Sequence, residues 1–445
     1  MDKTTIIRID LKTFRHYNKS LFMKYLFIPL LLISLTSWSQ KTDNVTLQTC
    51  YEVAVKNHPW TQQYDYYQNL QTLNNATIGT SWLPTFTLAG QATMQNDVTK
   101  VSLPPQLSSQ FTIPTPSKDQ YKATIDIRQN IYDGGLTKNR KLVENSDLQI
   151  NKQQVTVEIS KVKETINNLY FSYILNAELS GQLESFDLPL VARRVTLESA
   201  IKNGIALPTD IDAIDAERLS IKQKITECDI AKKSTLKLLS IIVGDTSFRS
   251  IEMLQEPQLS IIDSNTIKRT ELALFDFQKQ KMDASIAVLN ASRMPKLFAF
   301  STVGYGNPGL NMFKSGWQPI GIVGVGFSWN VIDWGKTNRD KEAVSIQKSI
   351  IDTRKQDFER SILMALESKK AEMLKMVAQI ANDNQLVALR ARITKVITKQ
   401  VEQGTATNFD FINQLSKEND ARIMLNIHQV QLQKLMADYL ITINN

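Results

Sequence analysis

The sequence predicts a mainly α-helical protein that also carries a membrane β-barrel portion, with the whole pattern duplicated. Three observations predict it. First, Asp133-Gly134-Gly135-Leu136-Thr137-Lys138-Asn139-Arg140 returns as Asp333-Trp334-Gly335-Lys336-Thr337-Asn338-Arg339, and Lys202-Asn203-Gly204-Ile205-Ala206 returns as Glu402-Gln403-Gly404-Thr405-Ala406. Asp210 and Asp410 stand alike beyond the two later glycines, and Ser81-Trp82-Leu83-Pro84 matches Ser292-Arg293-Met294-Pro295. Self-similarity at a fixed spacing marks a copied structural unit. Second, the 68 residues from Lys336 to Gln403 contain neither glycine nor proline. As one helix they would span roughly 100 Å. Third, four short runs alternate apolar and polar residues with a period of two, as strands between unlike surroundings do.

The elements follow in order. Residues 1–39 read as a secretory signal, with Met23 as a candidate initiator, Lys24 at the positive end and Leu26–Leu35 as the apolar run. Ser37-Trp38-Ser39 is a small-x-small cleavage site, so the mature chain begins at Gln40. An uncleaved anchor is the alternative, but the run is short of the roughly 20 residues a spanning helix needs. Residues 40–245 form the first copy, 246–265 (with Pro257) the linker, and 266–445 the second copy.

In the first copy, Thr46–Thr80 is helical with a break near Pro59, and Phe86, Leu88, Ala92 and Met94 alternate with Thr85, Thr87, Gln91 and Thr93. A Pro/Ser/Thr-rich link (97–117) precedes a second strand. Tyr121, Ala123, Ile125, Ile127 and Ile131 share one of its faces; Lys122, Thr124, Asp126, Arg128 and Asn130 share the other. The second copy repeats this with Leu297–Tyr305, a loop Asn307–Gly316 and a strand Gln318–Trp334. Trp317, Trp329 and Trp334 lie towards the strand ends, as in the aromatic girdles of membrane barrels. A water-soluble sheet with one buried face is the competing reading of these strands. The long helix of the first copy, Leu136–Asn203, contains Gly181 and Pro189, which predict a kink or break. Each long helix stops at Gly204 or Gly404, and a second helix follows (Pro208–Val243 and Asn408–Ile443), as expected for tight turns between antiparallel partners.

Composition excludes several function classes. The chain has 445 residues, 42% hydrophobic, a mean hydropathy of -0.22 and a formal charge of +8. The first 39 residues hold six Lys/Arg against two Asp, hence +4 of that charge, and the rest is interspersed. Nucleic-acid binding needs clustered cations and is not expected. Cys50 and Cys228 are the only cysteines, and His16, His58 and His428 the only histidines. No zinc site, catalytic triad or phosphate loop can be assembled from them, so neither enzyme chemistry nor a cofactor or metal is expected. The cysteines read as two partly buried thiols, with a disulfide as the open alternative.

Two hairpins per chain give four strands, and four cannot close a barrel; open sheet edges are not tolerated in lipid. The smallest bacterial barrels have about eight strands, and three chains would pool about twelve.

These residues resemble the TolC-like outer-membrane efflux family from Val45 to the C-terminus. The features that carry the likeness are Asn57-His58-Pro59, the approach from Ala76 to Leu83-Pro84, Ile131-Tyr132-Asp133-Gly134-Gly135 and the paired glycine tips. The resemblance implies a homotrimer with a 12-stranded barrel in outer-membrane lipid and a periplasmic α-helical barrel. It implies the exit duct of a tripartite pump, joined by a periplasmic membrane-fusion adaptor to an inner-membrane transporter of RND or ABC type. The runners-up are a duct for type I protein secretion, a metal-efflux duct and, in a different class, a secreted coiled-coil scaffold without a pore. Carried over residue by residue, the adaptor-docking tips fall on Gly204, Ile205, Pro208, Thr209, Asp210 and Ile211, and on Gly404, Thr405, Asn408, Phe409, Asp410 and Phe411. Turn geometry alone would also require the glycines, and helix-end electrostatics alone would favour Asp210. The periplasmic gate falls on Asp410 and Asn413. Asn413 stands where a second acid is common, and Ala406 where a latching basic residue would be. Lys122, Asp126 and Arg128 are expected to line the barrel lumen.

Overall fold

The computed structural model describes residues 45–102, 104, 113–245, 267–314 and 316–443. The signal sequence (1–39) and the linker (246–265) predicted above lie outside the described residues. The chain from Val45 onward is one compact unit.

Helix α1 (Leu47–Asn57) opens at Thr46, whose hydroxyl accepts from the Thr49 amide at 3.2 Å. A single 3-10 turn at Pro59–Thr61 marks the expected break before α2 (Gln62–Gly79). Strands β1 (Thr85–Met94) and β2 (Asp119–Tyr132) follow. The first long arm is α3 (Leu136–Ser160) with α4 (Val162–Lys202), and α5 (Pro208–Val243) returns along it. The second copy gives α6 (Thr270–Ser292), β3 (Lys296–Asn307), β4 (Gln318–Ser328), α7 (Lys336–Glu402) and α8 (Asn408–Ile443). The returning helices match their predicted bounds at both ends. Among the described residues, no helix is long and apolar enough to cross a membrane.

Two expectations are corrected. Gly181 and Pro189 do not break the first long helix; α4 runs through both, and the interruption falls at Lys161. There the Lys161 amide donates to the Glu158 carbonyl at 3.2 Å, a tightened turn. A proline inside a helix costs about 3 kcal/mol, but Phe186 and Leu190 beside it are buried in an apolar cluster with α5, α7 and α8. Burying one such side chain contributes roughly 1.5–3 kcal/mol, enough to hold the helix together. The second correction concerns β4, which ends at Ser328 rather than Trp334. Its partner β3 begins at Lys296, paired with Ser328, directly after Pro295. Residues 329–333 lose the clean alternation at Val331-Ile332 and pair with no strand among the described residues.

The four strands form one antiparallel sheet in the order β1-β2-β3-β4, so the hairpins of the two copies join through β2 and β3. Registers such as Ile125↔Leu88 and Ile125↔Val303 place side chains on common faces. One face carries Phe86, Leu88, Met94, Tyr121, Ile125, Val303, Tyr305, Val323, Val325 and Phe327, all exposed. The opposite face carries Thr85, Thr87, Gln91, Lys122, Thr124, Asp126, Arg128 and Thr302. It is the more crowded side, with Thr124 and Ile320 buried.

Helix packing repeats in the same way. Within each copy α2 lies on α3 as α6 lies on α7, and α4 on α5 as α7 on α8; between copies α3 meets α6 and α4 meets α8. Lys355–Asp276 (2.8 Å), Lys279–Asp352 (2.5 Å) and Lys348–Asp283 (2.6 Å) form a ladder that sets the register of α6 against α7. Within α1, Tyr51 donates to the Asn167 side-chain oxygen, and Asn167 donates to Asp438 at 2.8 Å. That chain ties α1, α4 and α8 around buried Ile166, Tyr170 and Leu239.

Candidate functional site: paired helix tips and a two-faced sheet

Both tips are built by the same local chemistry. Gly204 (φ +70°) and Gly404 (φ +74°) take the left-handed conformation that ends a helix, and nothing lies within 4 Å of where a Cβ would stand. The Gly204 amide donates to the Ile201 carbonyl (2.9 Å) and the Ile205 amide to Ala200 (2.9 Å); Gly404 and Thr405 repeat this onto Val401 (3.1 Å) and Gln400 (2.8 Å). Each pair satisfies carbonyls that the helix end would otherwise leave bare.

The acid beyond each glycine then starts the next helix. Asp210 accepts from the Leu207 amide at 3.1 Å. Asp410 accepts from the Thr407 amide at 3.0 Å and the Thr407 hydroxyl at 2.6 Å, while the Asp410 amide donates to that hydroxyl oxygen at 3.1 Å. The reciprocal bonds satisfy donors at the helix start. The Thr407 hydroxyl, then the Thr407 amide, hold the Asp410 carboxyl below the usual carboxylate range, so it is ionised at neutral pH. Ile205, Leu207 and Phe409 are exposed apolar side chains at the tips. Thr209, Thr405 and Asn413 are exposed as well, whereas Ile211 and Phe411 pack into the cluster below them.

Sequence reasoning missed Arg193. On α4 of the first copy, its Nε and a terminal guanidinium nitrogen donate to the Asn408 side-chain oxygen, at 2.8 and 2.6 Å, across to the second tip. Burial holds this guanidinium below its ordinary pKa, against the pull of Glu402 and Asp210. Position 406 has no basic residue, but a cation reaches the second tip from the other copy. An open cleft of about 510 Å³ runs beside it, lined by Arg193, Thr394, Lys395, Glu402 and Phe411. Nothing in the repeat signalled this, since the matching position in the second copy is Ile393.

At the other end of each arm, Asp133 and Asp333 start the long helices. Asp133 accepts from the Gly135 and Thr137 amides at 2.9 and 2.7 Å. Asp333 accepts from the Gly335 and Thr337 amides, both at 3.1 Å, and from the Thr337 hydroxyl at 2.5 Å. Those bonds, led by the Thr337 hydroxyl, hold Asp333 at about 2.

On the sheet, Lys122, Asp126 and Arg128 share the polar face, as their alternation predicted. Asp126 is part-buried and accepts from the Thr302 hydroxyl at 2.5 Å. Lys122 and Arg128 are exposed.

The geometry is that of solved channels. No protein-family profile matches the sequence, and no curated protein is similar to it at the sequence level. The outer membrane protein VceC of Vibrio cholerae superimposes with a TM-score of 0.63 at 14% identity, over 90% of this chain and 96% of VceC. The CmeC outer membrane channel of Campylobacter jejuni gives 0.59 at 13% identity, over 92% of this chain and 87% of CmeC. The open state of the Neisseria gonorrhoeae MtrE outer membrane channel gives 0.57 at 10% identity, over 89% and 88%. This chain has the TolC-like outer-membrane channel fold. Near-complete coverage of both partners means that the duplicated helices, the tips and the four-stranded sheet all belong to the shared architecture.

Proposed function

We propose that the protein is an outer-membrane duct of the efflux type, a passive exit channel that extends into the periplasm. The observation that carries this reading is a set of junctions made once inside the chain and left open at its ends. β2 pairs with β3, but among the described residues β4 and β1 have no strand on their outer edges. α3 packs on α6, but the equivalent pair, α7 with α2, is not among the packed pairs of the described chain. A head-to-tail surface of this kind closes into a ring when copies repeat it. Three copies give a 12-stranded barrel, the only kind of β-structure that tolerates lipid, and the exposed apolar face then turns outward. Its helical counterpart is a ring of six arms in the periplasm.

Within this reading the tips, Gly204, Ile205, Pro208, Thr209 and Asp210 with Gly404, Thr405, Asn408 and Phe409, dock a periplasmic adaptor. That adaptor links the duct to an inner-membrane transporter of RND or ABC type, which supplies the energy. Exposed Ile205, Leu207 and Phe409 support a docking role, since a monomer gains nothing from presenting them to water. Asp410 and Asn413 line the periplasmic gate, and three ionised Asp410 side chains around a narrow axis favour cations.

Fractionation and conductance test the proposal. Heat-resistant trimers in the outer-membrane fraction that form ion channels in planar bilayers are expected; a soluble periplasmic monomer overturns it. For the gate, Asp410→Ala is expected to weaken block by multivalent cations, and unchanged block removes Asp410 from that role.

A further inference from the structure

We propose that Arg128, Lys296, Phe298 and Phe300 form a binding site for small aromatic anions on the wall of the barrel lumen. The proposal rests on the duct reading, which turns the polar face of the sheet inward. The Arg128 guanidinium carbon lies 3.8 Å from the centre of the Phe298 ring, well inside cation–π range. Phe300, two residues along β3 on the same face, has its ring centre 6.3 Å from that of Phe298 at an interplanar angle of 49°. The rings are seated by glycines of the neighbouring strand. A Cβ at Gly324 would stand 2.7 Å from the Phe300 ring, and one at Gly326 would stand 2.4 Å from Phe298. Two large aromatic side chains therefore lie over bare backbone in the barrel wall instead of facing lipid with the other apolar residues.

The charge beside them is uncompensated. Among the described strand residues of this face, Lys122, Arg128 and Lys296 are cations and Asp126 is the only acid. Asp126 is occupied by hydroxyls, from Thr302 at 2.5 Å and Thr124 at 3.4 Å. Among the described residues Arg128 has no carboxylate within salt-bridge distance, and its side chain rests on a ring instead. Lys296 adds a second cation two residues from Phe298 on the same face. A planar guanidinium next to two aromatic rings matches a ligand with an aromatic body and a sulfonate or carboxylate head. The head pairs with Arg128 and the body stacks beside the rings. A twelve-stranded barrel is about 25 Å across between backbones, so three such sites would stand on separate walls and leave the passage open.

Block of single-channel current tests the site, with 2-naphthalenesulfonate against methanesulfonate at equal ionic strength. The aromatic anion is expected to block the wild-type channel at a concentration on the order of tenfold lower, the gain of one stacked ring. Arg128→Gln and Phe298→Leu, each checked for heat-resistant trimers, are expected to lose that advantage. Lys122→Gln, on the same face but several residues away, is expected to weaken block by both anions alike and keep the aromatic advantage. Equal block by the two anions in the wild type, or an advantage retained in both site variants, overturns the proposal. Saturation-transfer NMR with 2-naphthalenesulfonate on the detergent-solubilised protein reads binding without current, so a closed periplasmic mouth does not mask the site. Wild-type protein that forms no channel and binds no probe overturns the duct reading as well; channels without aromatic selectivity overturn the site alone.

Discussion

Gly134 and Gly404 separate backbone strain from packing, because they share a conformation and differ in surroundings. Their φ angles are +71° and +74°. Alanine at either position meets the left-handed penalty, about 1–2 kcal/mol for an L-residue. At Gly404 nothing lies within 4 Å of the new Cβ, so this is the whole expected cost. At Gly134 the Cβ would stand 2.3 Å from the Met294 Cβ and 3.0 Å from the Ala291 carbonyl oxygen. Carbon atoms pack best at about 3.5–4.0 Å, so the end of α6 has to move away from the start of the long arm. Overpacking of this kind adds typically 1–3 kcal/mol. Nature has already run part of the control: Trp334 occupies the equivalent turn at φ 53° with its side chain exposed. Gly134→Ala is therefore expected to destabilise the protein by about 1–3 kcal/mol more than Gly404→Ala. Guanidinium titrations followed by helical circular dichroism measure the difference. Equal losses in the two variants would refute the packing argument and leave φ as the only cause.

Three further outcomes follow from the caps and thiols. Thr407→Ala removes the two cap bonds made by the Thr407 hydroxyl, and should cost about 1 kcal/mol, read as faster amide hydrogen exchange confined to the first turn of α8; unchanged exchange would show those bonds to be idle. Asp333 is held at about 2 in the fold, below the unfolded value of about 4. Its contribution is thus complete above pH 4 and lost as pH falls towards 2, and Asp333→Asn should flatten that part of the stability profile; an identical acid limb in the variant contradicts the assignment. Burial pushes the Cys50 thiol up to about 12, and both cysteines are free thiols in separate apolar clusters. Cys50 should therefore resist iodoacetamide at pH 8 in the native protein and react fully once unfolded, whereas prompt native labelling would mean that α1 opens.

Much of this architecture was legible because it is punctuated locally. Gly204, Gly404, Pro208 and Asp410 sit where helix ends need a left-handed residue, a fixed φ or an acid, so the tips and both returning helices could be placed to the residue. The two faces of β2 were legible from alternation alone. What failed depended on partners distant in sequence. The end of β4 is set by where Pro295 stops β3, and the integrity of α4 at Pro189 is set by side chains of α7 and α8. The same cause hid Arg193, whose acceptor Asn408 lies in the other copy. It also hid the aromatic pair, since Leu297–Phe300 shows no clean alternation and becomes two-faced only when paired with Gly324 and Gly326.

The duplication also says how the two kinds of seam should differ. Adding the repeat offset (404 minus 204, hence 200) turns a junction inside the chain into the one expected between chains. Inside, Arg193 is hydrogen-bonded to Asn408; between chains the same places hold Ile393 and Pro208. Inside, Gly134 is pressed against Met294; between chains Trp334 would face Leu83, the counterpart of Met294 in the matched turns. Ile393, Leu83 and Trp334 are all exposed in the single chain. In the proposed trimer, polar or bare contacts would thus become large apolar ones at the outer seam. The physical reason is the cost of association. Segments of one chain meet at a high effective concentration, whereas separate chains must offset lost translational and rotational freedom, roughly 4–15 kcal/mol. Apolar burial at about 25 cal/mol per Å² is the term that can supply it, and in the proposed trimer the exposed Ile393, Leu83 and Trp334 would supply it on the side of each copy where no covalent link helps.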